Sequence, residues 1–91
     1  MSQAFHPGHH ALHGITVLVD TVSGDTYVGR FDSEDGRGVH LLDVGRHEPQ
    51  TESRDEFLRR SVKFGVRVER KDLVVPSASV ARVTPLGELQ L

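Results

Sequence analysis

From Ile15 onward, apolar and polar residues alternate: Ile15, Val17, Val19 and Thr21 share one side of an extended chain, and Thr16, Leu18 and Asp20 share the other. A period of two over this length predicts a half-buried strand. Ser23-Gly24-Asp25 supplies a hairpin turn, after which residues 26–32 resume the alternation, with Tyr27, Gly29 and Phe31 opposite Val28 and Arg30. A glycine inside a strand marks a bend or a close backbone approach, which a small barrel needs where a long strand curls through both of its sheets. After a turn at residues 34–38, Val39, Leu41 and Asp43 alternate against His40 and Leu42, predicting a third strand over residues 39–44. Phe64, Val66 and Val68 restart the pattern. Residues 69–72 then read as a charged bend or bulge, residues 73–76 as the end of a fourth strand, and residues 80–85 as a fifth. Between the last two stand only Pro76 and small residues, too tight for a helix and too short for a wandering loop, so they form a corner between strands.

Two segments break the alternation. Residues 1–14 are polar and small until Ala11-Leu12, with Pro7 able to open a short helical turn and Gly14 to end it. Residues 45–63 form a polar insertion with a helical signal of its own: Ser53 and Glu56 make a capping box, Asp55 and Glu56 lie in the first turn, and Arg59 and Arg60 in the last. Only Phe57 and Leu58 are apolar in that helix, which gives it one docking point and predicts that it projects from the body of the protein. The resulting fold class is mainly β: a five-stranded, strongly bent small barrel, with a short N-terminal helix and a short helix before the fourth strand. The chain divides into an N-terminal segment (1–14), a barrel with its insertion (15–86) and a C-terminal tail (87–91).

Composition narrows what such a barrel can do. A chain of 91 residues sits close to the size at which one core barely outweighs chain entropy, and with no cysteine the natural support is association. A net charge of −2 provides no bulk positive field, so any contact with nucleic acid has to be local. The first residues show neither a basic start nor a long apolar run, and no stretch approaches membrane-spanning length. The expectation is a soluble, cytoplasmic protein that makes no membrane contact.

Three stretches carry a family likeness: Gly29-Arg30-Phe31-Asp32, residues 35–43, and Val74-Val75-Pro76-Ser77. With the order of elements, they resemble the Sm-like superfamily, which includes bacterial Hfq, over residues 15–83; another SH3-like or open barrel is the alternative. The resemblance implies a homo-oligomeric ring of six or seven subunits, a homo-hexamer or heptamer, that binds single-stranded RNA around its pore. A physical reason supports the ring: the fourth and fifth strands leave edges that neighbouring subunits can complete, burying Leu18, Leu42 and Val74. In a monomer the same residues would pack under the insertion instead.

The RNA-binding residues of the family are not matched. Gly38-Val39-His40 lacks the base-reading asparagine, the arginine-glycine pair of the second Sm motif falls on Pro76-Ser77, and the Hfq tyrosine-lysine-histidine run falls near Arg67-Val68-Glu69. A pore site would therefore be built from Asp35, Arg37 and His40 with Ser77 and Ser79, Arg37 meeting phosphate and His40 stacking on a base. The alternative is an exposed turn of solvated charges beside an ordinary strand histidine.

A second constellation is His6, His9, His10 and His13. In a helix His9 and His13 share a face, as do His6 and His10, at a spacing that can bracket zinc or nickel. Two imidazoles without a carboxylate or thiolate make half a site, so a solvated polar terminus is the competing interpretation. Assembly sensitive to pH near the ordinary histidine pKa of roughly 6.5 is another. No nucleophile elbow, phosphate loop or metalloprotease motif is present, and the acids Asp32, Glu34 and Asp35 sit at a hairpin tip, which argues against an enzyme. Two classes remain: an RNA-binding ring without a cofactor, and a structural or scaffolding oligomer of the same fold.

Overall fold

The structure, a computed structural model, describes residues 11–90. Five strands, β1 (Thr16–Thr21), β2 (Thr26–Asp35), β3 (Gly38–Arg46), β4 (Arg70–Pro76) and β5 (Val80–Pro85), form one antiparallel sheet in the order β4-β3-β2-β1-β5. A helix, α1 (Arg54–Phe64), lies between β3 and β4. Short 3-10 turns at Ser77–Ser79 and Leu86–Glu88 follow β4 and β5.

The strands form because one face of each finds a core. Val17 and Val19 of β1 meet Phe31, Val39, Leu41, Val44 and Val75 in the first cluster, which draws on four strands of the sheet. Leu18, pointing the other way, joins Val28, Phe57, Leu58 and Leu86 in a second cluster on the opposite face. The sheet bends where its register slips, between Val28 and Arg30 and between Phe31 and Ser33 on β2. Gly29 sits at the first slip, where a Cβ would come within 3.1 Å of the Leu42 carbonyl oxygen. Asp43, with φ 52, marks the same irregularity on β3, and its carboxylate lies 3.3 Å from Arg30.

The expected small five-stranded barrel is found as an unclosed sheet. β4 and β5 are joined by the 3-10 corner yet do not pair, so both are outer edges of an open sheet. The corner folds the sheet round by tying two hairpin tips to it. The Ser77 N–H donates to the Arg37 carbonyl (3.2 Å), and the Val22 N–H donates to the Ser79 carbonyl (2.8 Å).

Helix α1 docks instead of projecting. Its capping box is complete, with Ser53 accepting from the Glu56 N–H and Glu56 from the Ser53 N–H, and Phe57 and Leu58 are only 3% and 2% exposed. Two adjacent apolar residues suffice because the sheet supplies Leu18 and Val28 from below and the chain after β5 supplies Leu86 from the side. At the helix start, Arg54 Nη2 lies 3.0 Å from both carboxylate oxygens of Asp20 on β1. Of the residues expected to await a neighbour, Leu18 is buried by α1, Leu42 is half-buried, and Val74 stays 39% exposed.

The N-terminal helix is likewise not formed where the chain is described. Residues 11–14 make a turn closed by the Ile15 N–H bonding to the Leu12 carbonyl (2.8 Å), and Gly14 at φ 83 leads into β1. The rest of that expected helix lies outside the described residues. Residues 65–68, expected as strand, are irregular, and the charged stretch expected as a bend opens β4 at Arg70. Among the described residues no helix is long and apolar enough to cross a membrane.

Candidate functional site

The turn between β2 and β3 is organised by one carboxylate. Asp35 Oδ1 accepts from the backbone N–H groups of Arg37 (2.9 Å) and Gly38 (3.4 Å), and His40 Nε2 lies 3.0 Å from the same oxygen. His40 Nε2 is buried there and, despite the short distance, makes no aligned hydrogen bond. Asp35 is held below the usual carboxylate range, first by the His40 imidazole beside it and then by the Arg37 backbone N–H. An anionic carboxylate with so many donors fixes the turn while leaving the Arg37 side chain free to reach solvent. Arg37 is 77% exposed, and its guanidinium stands 3.9 Å from Asp35.

Pairing of β3 with β4 then brings the corner to the turn. Gly38 faces Pro76, His40 faces Val74, and the Ser77 N–H closes on the Arg37 carbonyl. Asp35, Arg37, His40 and Ser77 are thus neighbours. Ser79 is not part of this group: it ends the 3-10 turn, where its carbonyl is bonded at Val22 beside the β1–β2 hairpin. Gly38 makes the approach feasible, because at φ 148 it places its α-carbon against the backbone of Val75 and Pro76 where no Cβ fits.

The electrostatics of the cluster are mixed. Asp32, Glu34 and Asp35 precede Arg37 in the same hairpin, so the turn concentrates no positive charge for a phosphate chain. What the arrangement offers is one exposed arginine and a partly buried imidazole on a hydrogen-bonded turn.

Beyond the turn, the open seam of the sheet exposes partly buried apolar residues: Tyr27, Leu73, Val80 and Val83 pack on the first cluster without being sealed by it. A solvent-open cavity of about 430 Å³ lies at one end, lined by Tyr27, Val44, Arg46, Arg70 and Leu73 among others. Arg46 there is already engaged, by Asp25 (3.4 Å) and Glu48 (3.1 Å), which raise its pKa further.

His6, His9 and His10 lie outside the described residues. His13 sits in the turn before β1, not in a helix, and its Nδ1 is 2.6 Å from the Asp32 carbonyl. Among the described residues no group of three or more histidines, cysteines or acids is placed to hold a metal ion.

Two features escape a pattern-based reading. His47 is buried at 8% exposure, its Nε2 2.8 Å from the Glu52 carbonyl and its ring against Phe57, and nothing in its local sequence marks it as interior. The basic residues around Phe64 are visible in the sequence as a run of charge, but the alternation of Phe64, Val66 and Val68 splits them between a helix and a strand that does not form. Compared with models of known protein families and with curated proteins, the chain matches none.

Proposed function

We propose that this chain is a cytoplasmic Sm-like protein that assembles with copies of itself through the edges of β4 and β5, forming a ring of six or seven subunits that binds single-stranded RNA at the turns lining its pore. The observation that carries this reading is the sheet order, in which the two outermost strands are consecutive in sequence and each, among the described residues, pairs on one side only. An edge strand exposes backbone donors and acceptors that a second copy satisfies, and two different free edges per chain suit the head-to-tail arrangement that closes into rings. The half-buried Tyr27, Leu73, Val80 and Val83 along the seam favour association too, since each gains burial when the seam is covered.

For the RNA, support comes from Arg37, whose side chain is exposed on a turn that is hydrogen-bonded to Ser77. The acids around it favour a second reading, in which the same assembly acts as a scaffold and leaves its pore empty of RNA. Light scattering tests the assembly: a mass six or seven times the 10.1 kDa of one chain is expected, and a strict monomer overturns the proposal. Loss of oligonucleotide binding in Arg37→Ala would favour the pore reading of RNA contact over the scaffold.

A further inference from the structure

Six of the eleven basic side chains fall within residues 59–71, against the single acid Glu69, whereas the rest of the chain holds five bases and twelve acids. A protein of net negative charge thus carries one strongly positive strip of sequence, bounded by Asp72. Arg59 and Arg60 are committed to Asp55 and Glu52. Lys63, Arg67, Arg70 and Lys71 are exposed and, among the described residues, have no carboxylate within ion-pair distance.

The strip is held in place. Lys63 lies in the last turn of α1, and Gly65 caps the helix through its N–H to the Ser61 carbonyl. The Arg67 carbonyl then rests against Gly45, the Glu69 N–H donates to the Val44 carbonyl (2.8 Å), and Arg70 pairs with Val44. In its midst Phe64 stands 76% exposed, with Lys63 Nζ 5.3 Å from the ring centroid. An aromatic ring left in water among cations that lack carboxylate partners gains little from the fold itself.

We infer that this strip is a second surface, besides the Arg37 turn, on which the chain contacts single-stranded RNA, with phosphates against Lys63, Arg67, Arg70 and Lys71 and a base stacked on Phe64. The inference takes the ligand from the reading above but depends on neither the ring nor the Arg37 turn. An acidic polypeptide would satisfy the cations without using a flat ring. A lipid surface calls for a broad apolar face, whereas the exposed apolar residues here, Val62, Phe64 and Val68, are interrupted in sequence by Lys63, Arg67 and Glu69.

The test is fluorescence anisotropy of the full chain with labelled uridine- and adenine-rich RNA of about 15 nucleotides, between about 50 and 200 mM salt. Replacing Lys63, Arg67, Arg70 and Lys71 by Gln should flatten the logarithmic salt slope by about 2–3, at roughly 0.7 for each phosphate no longer neutralised. Phe64→Ala should weaken binding about tenfold with the slope retained. Should Arg37→Ala abolish binding while the fourfold variant retains it, this inference falls and the pore reading stands; no RNA binding at low salt sinks both. Tighter binding of phosphatidylserine vesicles or poly-glutamate than of RNA also overturns it. Amide-shift mapping on the unmodified protein decides the same question without relying on a variant's folding: RNA must perturb residues 63–71, and shifts confined to residues 35–40 overturn the inference.

Discussion

Asp35 shows how one side chain can define a turn, and its titration makes that role measurable. Its folded pKa lies below the ordinary 3.8, so its contribution to stability is fully present above that value and is lost as pH falls through the folded pKa. Asp35→Asn should therefore destabilise the chain at neutral pH, with the difference from the parent shrinking as both are unfolded at successively lower pH below about 4. A gap that stays constant down to strong acid would mean that the carboxylate charge is not what holds the turn. Gly38 makes the complementary point about shape. With φ at 148 and the Val75 backbone where a Cβ would stand, Gly38→Ala should cost about 1–3 kcal/mol in chemical denaturation. Gly36→Ala, in the same turn but with open space around it, should change stability by less than about 1 kcal/mol.

At the scale of elements, the helix gives the sharpest prediction, because its local signals and its packing point in different directions. Leu58→Ala should cost about 2–5 kcal/mol, a large part of the roughly 5–15 kcal/mol that holds a small domain together. Ser53→Ala should cost about 1 kcal/mol by removing the cap. A projecting helix would leave the Leu58 change within about 0.5 kcal/mol, so urea unfolding of the two variants separates the arrangements. The capping box is legible in the sequence because it is local, lying within Ser53 and Glu56. The docking is not, because its partners Leu18, Val28 and Leu86 come from three separated segments and leave no period in the sequence. Strands β1 to β3 are legible for the converse reason, as each keeps alternate residues in a core. β4 is only half legible: as an edge strand its first residues are exposed on both faces, so Arg70, Lys71 and Asp72 resemble a bend. Phe64, Val66 and Val68 mislead in the opposite sense. Their alternation is genuine, but Phe64 ends a helix and Gly65, at φ 88, turns the chain before Val66 reaches the second core cluster. Of the candidate site, Asp35, Arg37, His40 and Ser77 are neighbours in the fold, while Ser79, at the end of the 3-10 corner, is bonded through its carbonyl at Val22.

For the whole molecule, the two bare edges lead to a prediction about concentration. A chain of 91 residues without cysteine has a small core, and here that core is divided between two faces of a sheet whose seam is unsealed. If copies complete one another along β4 and β5, assembly binds only the folded state, so the thermal midpoint rises with protein concentration by mass action. A self-sufficient monomer has a midpoint that does not move over the same range. Val74→Lys discriminates further: Val74 lies on β4, 39% exposed, and a charge there costs a monomer little. Lysine on an edge strand is one of the means by which sheets resist pairing with another chain. The expected outcome is a fall in mass toward 10.1 kDa together with a midpoint that no longer depends on concentration. A variant that keeps the parent's mass and concentration dependence would show that β4 is not the edge through which the chain assembles, and one that loses stability even at high dilution would show that Val74 serves the fold of the single chain instead.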